Sequence, residues 1–276
     1  MRNKKVFIIL AVFILYMSSA STVFATEGTI SDPFSFEKQK GDAVELTKEM
    51  LNLSQNEHKQ IKHDYQDLAQ AINAAGKDNV EEVIKKHSSD DLLIKKIEAI
   101  AGTYRKNSSL IPHFSIKDSD LVTEYKFNNQ NIEIGPHYVA VEETTGDRPQ
   151  MRLTAAKATK KTKGGCATRI YYAKPYGYKL FEISVGLYFY YDGTKASYKS
   201  DFDAYYKRYL GSALYSVSNW RKKRETAGTS YQGWCGGNFS EGITIKGNGL
   251  VWFDYVVKHK VKCSKSGNIT RTYTVK

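Results

Sequence analysis

The spacing of apolar residues changes once along this chain, and that change constrains the fold more than any other feature. From Asp42 to Tyr104, apolar side chains recur every three or four residues, as on the buried stripe of a helix. From about Leu121 they alternate with polar ones, as on a strand with one buried face. The sequence therefore predicts an α+β protein, with a small N-terminal helical bundle followed by an antiparallel β-sandwich or barrel-like domain.

Three or four short helices are expected over residues 26–110. The first is predicted to include Leu46–Leu53, and the next to begin after Ser54, which forms a capping-box pattern with Glu57. From Thr26 to Tyr125 there are 18 acidic and 13 basic residues. We expect an acidic bundle that masks or solubilises the basic remainder of the chain.

Residues 115–276 are expected to form a β-domain. Its clearest strand is Leu250–Cys263, in which apolar and polar residues alternate. Asp192-Gly193 and the segment Ser264–Asn268 predict hairpin turns. Residues 155–165 combine several lysines with Gly164 and Gly165, which predicts an exposed basic loop.

Residues 1–25 have the pattern of a secretory signal peptide. Basic residues precede the apolar run Val6–Met17, and Val23-Phe24-Ala25 provides small side chains at the cleavage positions. Cleavage after Ala25 would release the mature protein outside the cell. An uncleaved anchor is the alternative, but the apolar run is shorter than the roughly 20 residues that a membrane span needs.

The chain has three cysteines, Cys166, Cys235 and Cys263. In an exported protein an odd count allows one internal disulfide and one spare thiol, and three pairings are open. We expect Cys235 to pair with Cys263, because a tight glycine turn and a strand end place them near each other. Closing this loop would contribute about 3 kcal/mol. No metal site is expected, since no second ligand lies at zinc spacing.

No motif of a known enzyme class is present. The chain lacks a Gly-x-Ser-x-Gly elbow, a His-Glu-x-x-His pair and a phosphate-binding glycine loop. Seven acidic residues follow Met151, and any two of them could serve a hydrolase only if the fold brought them together. A non-enzymatic role without a cofactor is favoured.

The second half of the chain is strongly basic and rich in tyrosine. After Met151 there are 23 basic against 7 acidic residues, and 15 of the 20 tyrosines. Aromatic and cationic side chains together suit an anionic partner, although tyrosine also simply fills β-sheets. The predicted anion-binding cations are Arg169, Lys174, Lys179, Lys207, Arg208, Arg221, Lys222, Lys223, Arg224, Lys258, Lys260 and Lys262, and the accompanying aromatic residues are Tyr171, Tyr176, Tyr205 and Trp220.

These observations favour a secreted cationic antibacterial protein of the large bacteriocin type. It would act at the envelope of target bacteria, where the basic β-domain would bind anionic lipid or wall polymer. No specific recognition of nucleic acid is expected. Two alternatives remain: a non-toxic module that binds cell walls or polyanions, and a secreted hydrolase without a recognisable motif.

Overall fold

The structure, a computed structural model, describes residues 44–88, 91–107, 111–116, 119–128, 130–142, 160–209, 215–245 and 249–275, of which about 55% lie in strands. Its helices are α1 (Gln55–Ala75), α2 (Val80–His87) and α3 (Leu92–Asn107). Its strands are β1 (Val44–Leu46), β2 (His113–Ile116), β3 (Thr123–Lys126), β4 (Asn131–Ile134), β5 (Tyr138–Glu142), β6 (Lys161–Ala173), β7 (Lys179–Tyr191), β8 (Ala196–Arg208), β9 (Tyr215–Ala227), β10 (Ser230–Ile245), β11 (Gly249–Cys263) and β12 (Ile269–Val275).

The strands form two six-stranded sheets. Sheet A has the order β1-β2-β11-β10-β9, and β12 pairs with β11 further along that strand than β2 does. Sheet B has the sequential order β3-β4-β5-β6-β7-β8, with every neighbouring pair antiparallel. The predicted β-sandwich is consistent with this architecture.

Two predicted hairpins are confirmed. The turn between β7 and β8 contains Gly193 with φ of 88°, and the turn between β11 and β12 contains Gly267 with φ of 87°. Only glycine adopts these backbone angles without steric cost, which is why the two glycines identified the turns in the sequence.

The prediction of an N-terminal helical bundle is wrong for the described residues. They contain three short helices, and these share one core with the strands. Tyr65 of α1 donates a hydrogen bond to the carbonyl oxygen of Leu121, and Tyr125 of β3 donates one to that of Lys62. The helical period showed correctly that one face of α1 is buried, but it does not show what covers that face.

Two shorter segments also differ from their predictions. Val44–Leu46 pairs in parallel with β2 instead of opening a helix. Lys161–Gly165 begin β6 instead of forming an exposed loop, while residues 151–159 lie outside the described part. Gly165 suits this position because a Cβ there would lie 2.8 Å from a methyl of Val261.

The core between the sheets is largely aromatic. Phe181 of sheet B stacks on Tyr171 and on Phe239 of sheet A, with ring centroids 4.5 and 4.7 Å apart. Such stacking fixes which side chains point inward on β6, β7 and β10. The alternate residues of those strands therefore face outward.

The predicted signal peptide, residues 1–25, lies outside the described residues. Among the helices that the structure describes, none is both long enough and apolar enough to span a bilayer.

Candidate anion-binding surface

The alternation in β11 separates a buried face from a cationic one. Val257, His259 and Val261 are fully buried, whereas Lys258 is exposed and Lys260 and Lys262 are partly exposed. Because side chains alternate along a strand, the three lysines point to the same outward side of sheet A. No carboxylate of the described residues lies within ion-pair distance of these lysines.

Strand β9 adds two cations to the same side. Arg221 pairs in register with Gly236 of β10, which pairs with Lys258 of β11, and Lys223 is linked through β10 to Lys260 in the same way. Residues in register across a sheet share a face. We call the outward surface that carries Arg221, Lys223, Lys258, Lys260 and Lys262, with Trp234 among them, the lysine face.

A β-bulge in β9 makes this arrangement possible. The pairing between β9 and β10 shifts by one residue between Gly236 and Asn238, and Asn219 has φ of 54°. Asparagine tolerates this left-handed backbone better than most residues. The bulge leaves Trp220 packed inward against Phe239 while Arg221 faces outward.

Trp234 is held rigidly in the middle of the lysine face. Its indole N–H donates to Oε1 of Glu225 over 3.0 Å, and the Lys258 ammonium lies 4.2 Å from the ring centroid. Glu225 also accepts from Gln232 at 3.0 Å and pairs with Lys223 at 2.7 Å. These contacts, Lys223 first, lower the pKa of Glu225 to about 2, so its carboxylate stays charged and holds the ring in place.

Two of the predicted anion-binding cations are buried against acidic residues. Arg169 donates to Glu133 at 2.8 Å and to Glu124 at 2.6 Å, and its guanidinium lies 3.8 Å from the Tyr273 ring centroid. Its side chain is fully buried, so its charge is balanced inside the sandwich. It is therefore not part of an exposed surface.

Lys174 is also internal. Its Nζ lies 2.6 Å from Oδ2 of Asp91 and 4.2 Å from the Tyr65 ring centroid, and the side chain is 1% exposed. Burial lowers the pKa of Lys174, and the neighbouring Asp91 opposes that shift. Lys174 joins the strand layer to the helices instead of facing a partner.

The remaining predicted residues lie at other places. Tyr205 donates to Glu182 at 2.8 Å, and Lys207 lies 4.8 Å from the Tyr209 ring. Arg224 covers the Tyr198 ring at 3.7 Å. The others are Lys179, 3.8 Å from Glu81; Lys222 and Arg208, both exposed; Tyr176, stacked on Tyr178; and Tyr171, fully buried. The structure thus groups five of the twelve predicted cations on the lysine face.

The predicted disulfide is wrong. All three cysteines are free and buried. Cys235 pairs in register with His259, whereas Cys263 pairs with Tyr231, four residues further along β10. That offset is about 13 Å of strand, and a disulfide needs Cα atoms about 4.4 to 6.8 Å apart. Burial raises the pKa of both thiols, that of Cys263 to about 11, so neither is poised as a thiolate.

One buried pair, an acid and a histidine, was not predicted from the sequence. Glu241 is fully buried, and its Oε1 lies 3.4 Å from Nε2 of His137, which stacks on Phe253. Burial raises the pKa of Glu241 to about 8 and lowers that of His137 to about 3. Glu241 follows Phe239 by two positions in β10, so both side chains face the same way, into the core. This spacing was the signal that the sequence offered. The pair has no solvent access for a substrate.

One surface cavity of about 170 Å³ lies between the helices and the turn after β6. Among the described residues, no group of three His, Cys, Asp or Glu side chains is placed to hold a metal ion. The residues that line this cavity are Asp64, Tyr65, Asp67, Leu68, His87, Asp91 and Lys174.

No family model, curated protein or solved structure matches this chain.

Proposed function

We propose that this protein attaches to anionic material of a bacterial envelope through the lysine face. The observation that carries the proposal is the placement of five cations on one outward face; among the residues that the structure describes, only Lys223 of these five pairs with an acid. Arg169 and Lys174, in contrast, are neutralised within the fold.

The size of the expected attraction is modest and sensitive to salt. Each cation near an anionic surface contributes about 1 kcal/mol, so the four that do not pair with Glu225 would contribute on the order of 4 kcal/mol. That corresponds to about millimolar affinity for one molecule. Because the cations are exposed, screening at high ionic strength should remove most of it.

The proposal covers attachment and not killing. The antibacterial activity predicted from the sequence has no support among the described residues or in the comparisons with known proteins. The hydrolase alternative stays a prediction; of its candidate acids, Glu241 is fully buried.

Co-sedimentation with purified Gram-positive cell walls tests the proposal. The wild-type chain is compared at about 50 and about 500 mM NaCl, conditions between which screening of exposed charges increases strongly. The test variant carries Lys258→Glu, Lys260→Glu and Lys262→Glu. The matched control carries Lys59→Glu, Lys85→Glu and Lys106→Glu, which change the net charge equally on the exposed helix surfaces.

We expect the test variant to lose at least tenfold in bound fraction, and the control to stay within about threefold of wild type, because surface position and not net charge sets the attachment. Equal losses in both variants would contradict the proposal. So would a wild-type protein that remains in solution at low salt.

A further inference from the structure

We infer that the ligand of the lysine face is a linear poly(polyol phosphate) that lies along β11. This inference rests on the proposed function, because it assumes that the lysine face binds anions. It adds the chemical class of the ligand and its direction on the sheet.

The spacing of the lysines favours a linear polymer with a regular charge. Lys258, Lys260 and Lys262 occupy alternate positions of one strand, so neighbouring members are about 6.7 Å apart along it. A peptide residue with three backbone bonds spans about 3.5 Å when extended, so a repeat of six backbone bonds spans about 7 Å. A phosphodiester of a three-carbon polyol has that repeat. Its successive phosphates would therefore meet successive lysines.

Strand β12, which pairs with β11 beside the three lysines, supplies hydroxyl groups. Lys258 pairs in register with Thr274, Lys260 with Thr272 and Lys262 with Thr270. These threonines share the outward face, since residues in register point to the same side. Hydroxyls can donate to phosphate oxygens or accept from the hydroxyls of a polyol.

The polar character of the lysine face argues against insertion into lipid. Five large apolar or aromatic side chains of the described residues are well exposed, and only Val256 belongs to β11. Tyr176 lies in the turn after β6, and Tyr205 binds Glu182 on sheet B. Proteins that settle into a membrane interface place exposed aromatic rings beside their cations, whereas Trp234, the aromatic residue of the lysine face, is partly buried and covered by the Lys258 ammonium. The described lysine face offers a hydrated polymer charges and hydroxyls instead.

Trp234 argues against single-stranded nucleic acid. Proteins that bind single strands stack the bases on free aromatic rings. Here the Lys258 ammonium lies over the indole, and Glu225 accepts its N–H. The ring therefore already has partners within the lysine face, which suits a polymer without bases.

Competition against cell-wall attachment tests the inference with the full chain. The competitors are glycerol 3-phosphate, synthetic poly(glycerol phosphate) of two, four and eight repeats, and oligothymidylate with the same numbers of phosphates. Vesicles of phosphatidylglycerol form a separate binding arm. Each assay includes the wild-type protein and two variants that lose two positive charges each. The β11 variant carries Lys258→Gln with Lys262→Gln, and the β9 variant carries Lys222→Gln with Arg224→Gln, which are exposed but lie on the side of β9 opposite to the lysine face.

We expect poly(glycerol phosphate) to compete at least tenfold better at four repeats than at one, because three lysines span three phosphates. The β11 variant should lose at least tenfold in affinity for the four-repeat polymer, and the β9 variant less than threefold. With three phosphate contacts, the logarithm of the binding constant should fall with that of the salt concentration at a slope of about −2. Circular dichroism of both variants checks that they remain folded.

Three outcomes would overturn the inference without overturning attachment to cell walls. Glycerol 3-phosphate could compete as well as poly(glycerol phosphate) at the same phosphate concentration, or oligothymidylate could compete better than poly(glycerol phosphate). The third is binding to phosphatidylglycerol vesicles that poly(glycerol phosphate) does not reverse. Equal losses in the β11 and β9 variants would also overturn the proposed direction along β11. Failure of the wild-type protein to bind walls at low salt would instead overturn the proposed function itself.

Discussion

His137 and Glu241 join the two sides of the sandwich through a contact that excludes water. Nε2 of the histidine lies 3.4 Å from Oε1 of the acid, and their side chains are 2% and 0% exposed. His137 belongs to the turn between β4 and β5 of sheet B, and Glu241 belongs to β10 of sheet A. Both groups are held in their uncharged forms at neutral pH, because burial shifts the two pKa values in opposite directions.

This pair predicts a loss of stability at alkaline pH. The pKa of Glu241 is about 8 in the folded chain against an ordinary 4.5, so its stabilising contribution is complete below pH 4.5 and is lost as the pH rises through 8. The contribution of His137 is lost only as the pH falls below 6.5 toward 3. Between pH 6.5 and 8.5 the wild-type protein should lose about 2 kcal/mol. In urea unfolding, Glu241→Gln should flatten this change; an equal slope in both proteins would contradict the assignment.

Arg169 is expected to behave as a core residue. Arg169→Met leaves the Glu133 carboxylate buried without its cation, which should cost about 3 to 5 kcal/mol in the free energy of unfolding. Adding Glu133→Gln should recover at least 1 kcal/mol, because the uncompensated charge is removed. Lys258→Met, on the lysine face, is the control and should change stability by less than about 0.5 kcal/mol. A mild effect of Arg169→Met would show that the guanidinium is hydrated.

The docking of α2 on the turn after β6 depends on Gly177. A Cβ at this position would lie 2.1 Å from the carbonyl oxygen of Glu81, and φ is 77°. Gly177→Ala should therefore cost backbone strain and also push α2 away. Gly193→Ala is the matched control, since Gly193 has φ of 88° but no atom within 4 Å of such a Cβ. In thermal unfolding we expect Gly177→Ala to lower the free energy of unfolding by at least 1 kcal/mol more than Gly193→Ala does. Equal losses in the two variants would mean that α2 can move aside without cost.

The three cysteines should behave as buried free thiols. Alkylation after denaturation without reductant should modify three cysteines, as counted by mass spectrometry. In the native protein alkylation should be slow, because all three are buried and burial raises the pKa of Cys235 and Cys263. A reductant should leave the melting temperature unchanged. Recovery of one labelled cysteine instead of three would show a disulfide.

Features determined within a short segment could be predicted from the sequence. The Ser54–Glu57 capping box begins α1 as expected, with Oγ of Ser54 accepting from the Glu57 amide. The alternation in β11 gave its buried and cationic faces, and glycines marked the two hairpin turns. Each of these depends on residues only a few positions apart.

Features that depend on distant partners could not be predicted. Arg169 resembles the exposed cations in its local sequence, but its partner Glu133 is 36 residues away. Lys174 likewise finds Asp91 on the helical side of the fold. Which cations share a surface depends on strand register, and the register of β9 depends on a bulge that no composition rule places. Only the folded chain separates the five cations of the lysine face from the other seven.

The bulge at Asn219 gives β9 one residue more than β10 has over the same length. Ser218 pairs with Asn238 and Arg221 with Gly236, so Asn219 and Trp220 together lie opposite Gly237. Deleting Asn219 would therefore close the bulge and leave Trp220 facing inward and Arg221 facing outward. A single-codon deletion at a regularly paired position such as Lys222 would instead invert the side chains on one side of the gap, and it should be the more damaging of the two.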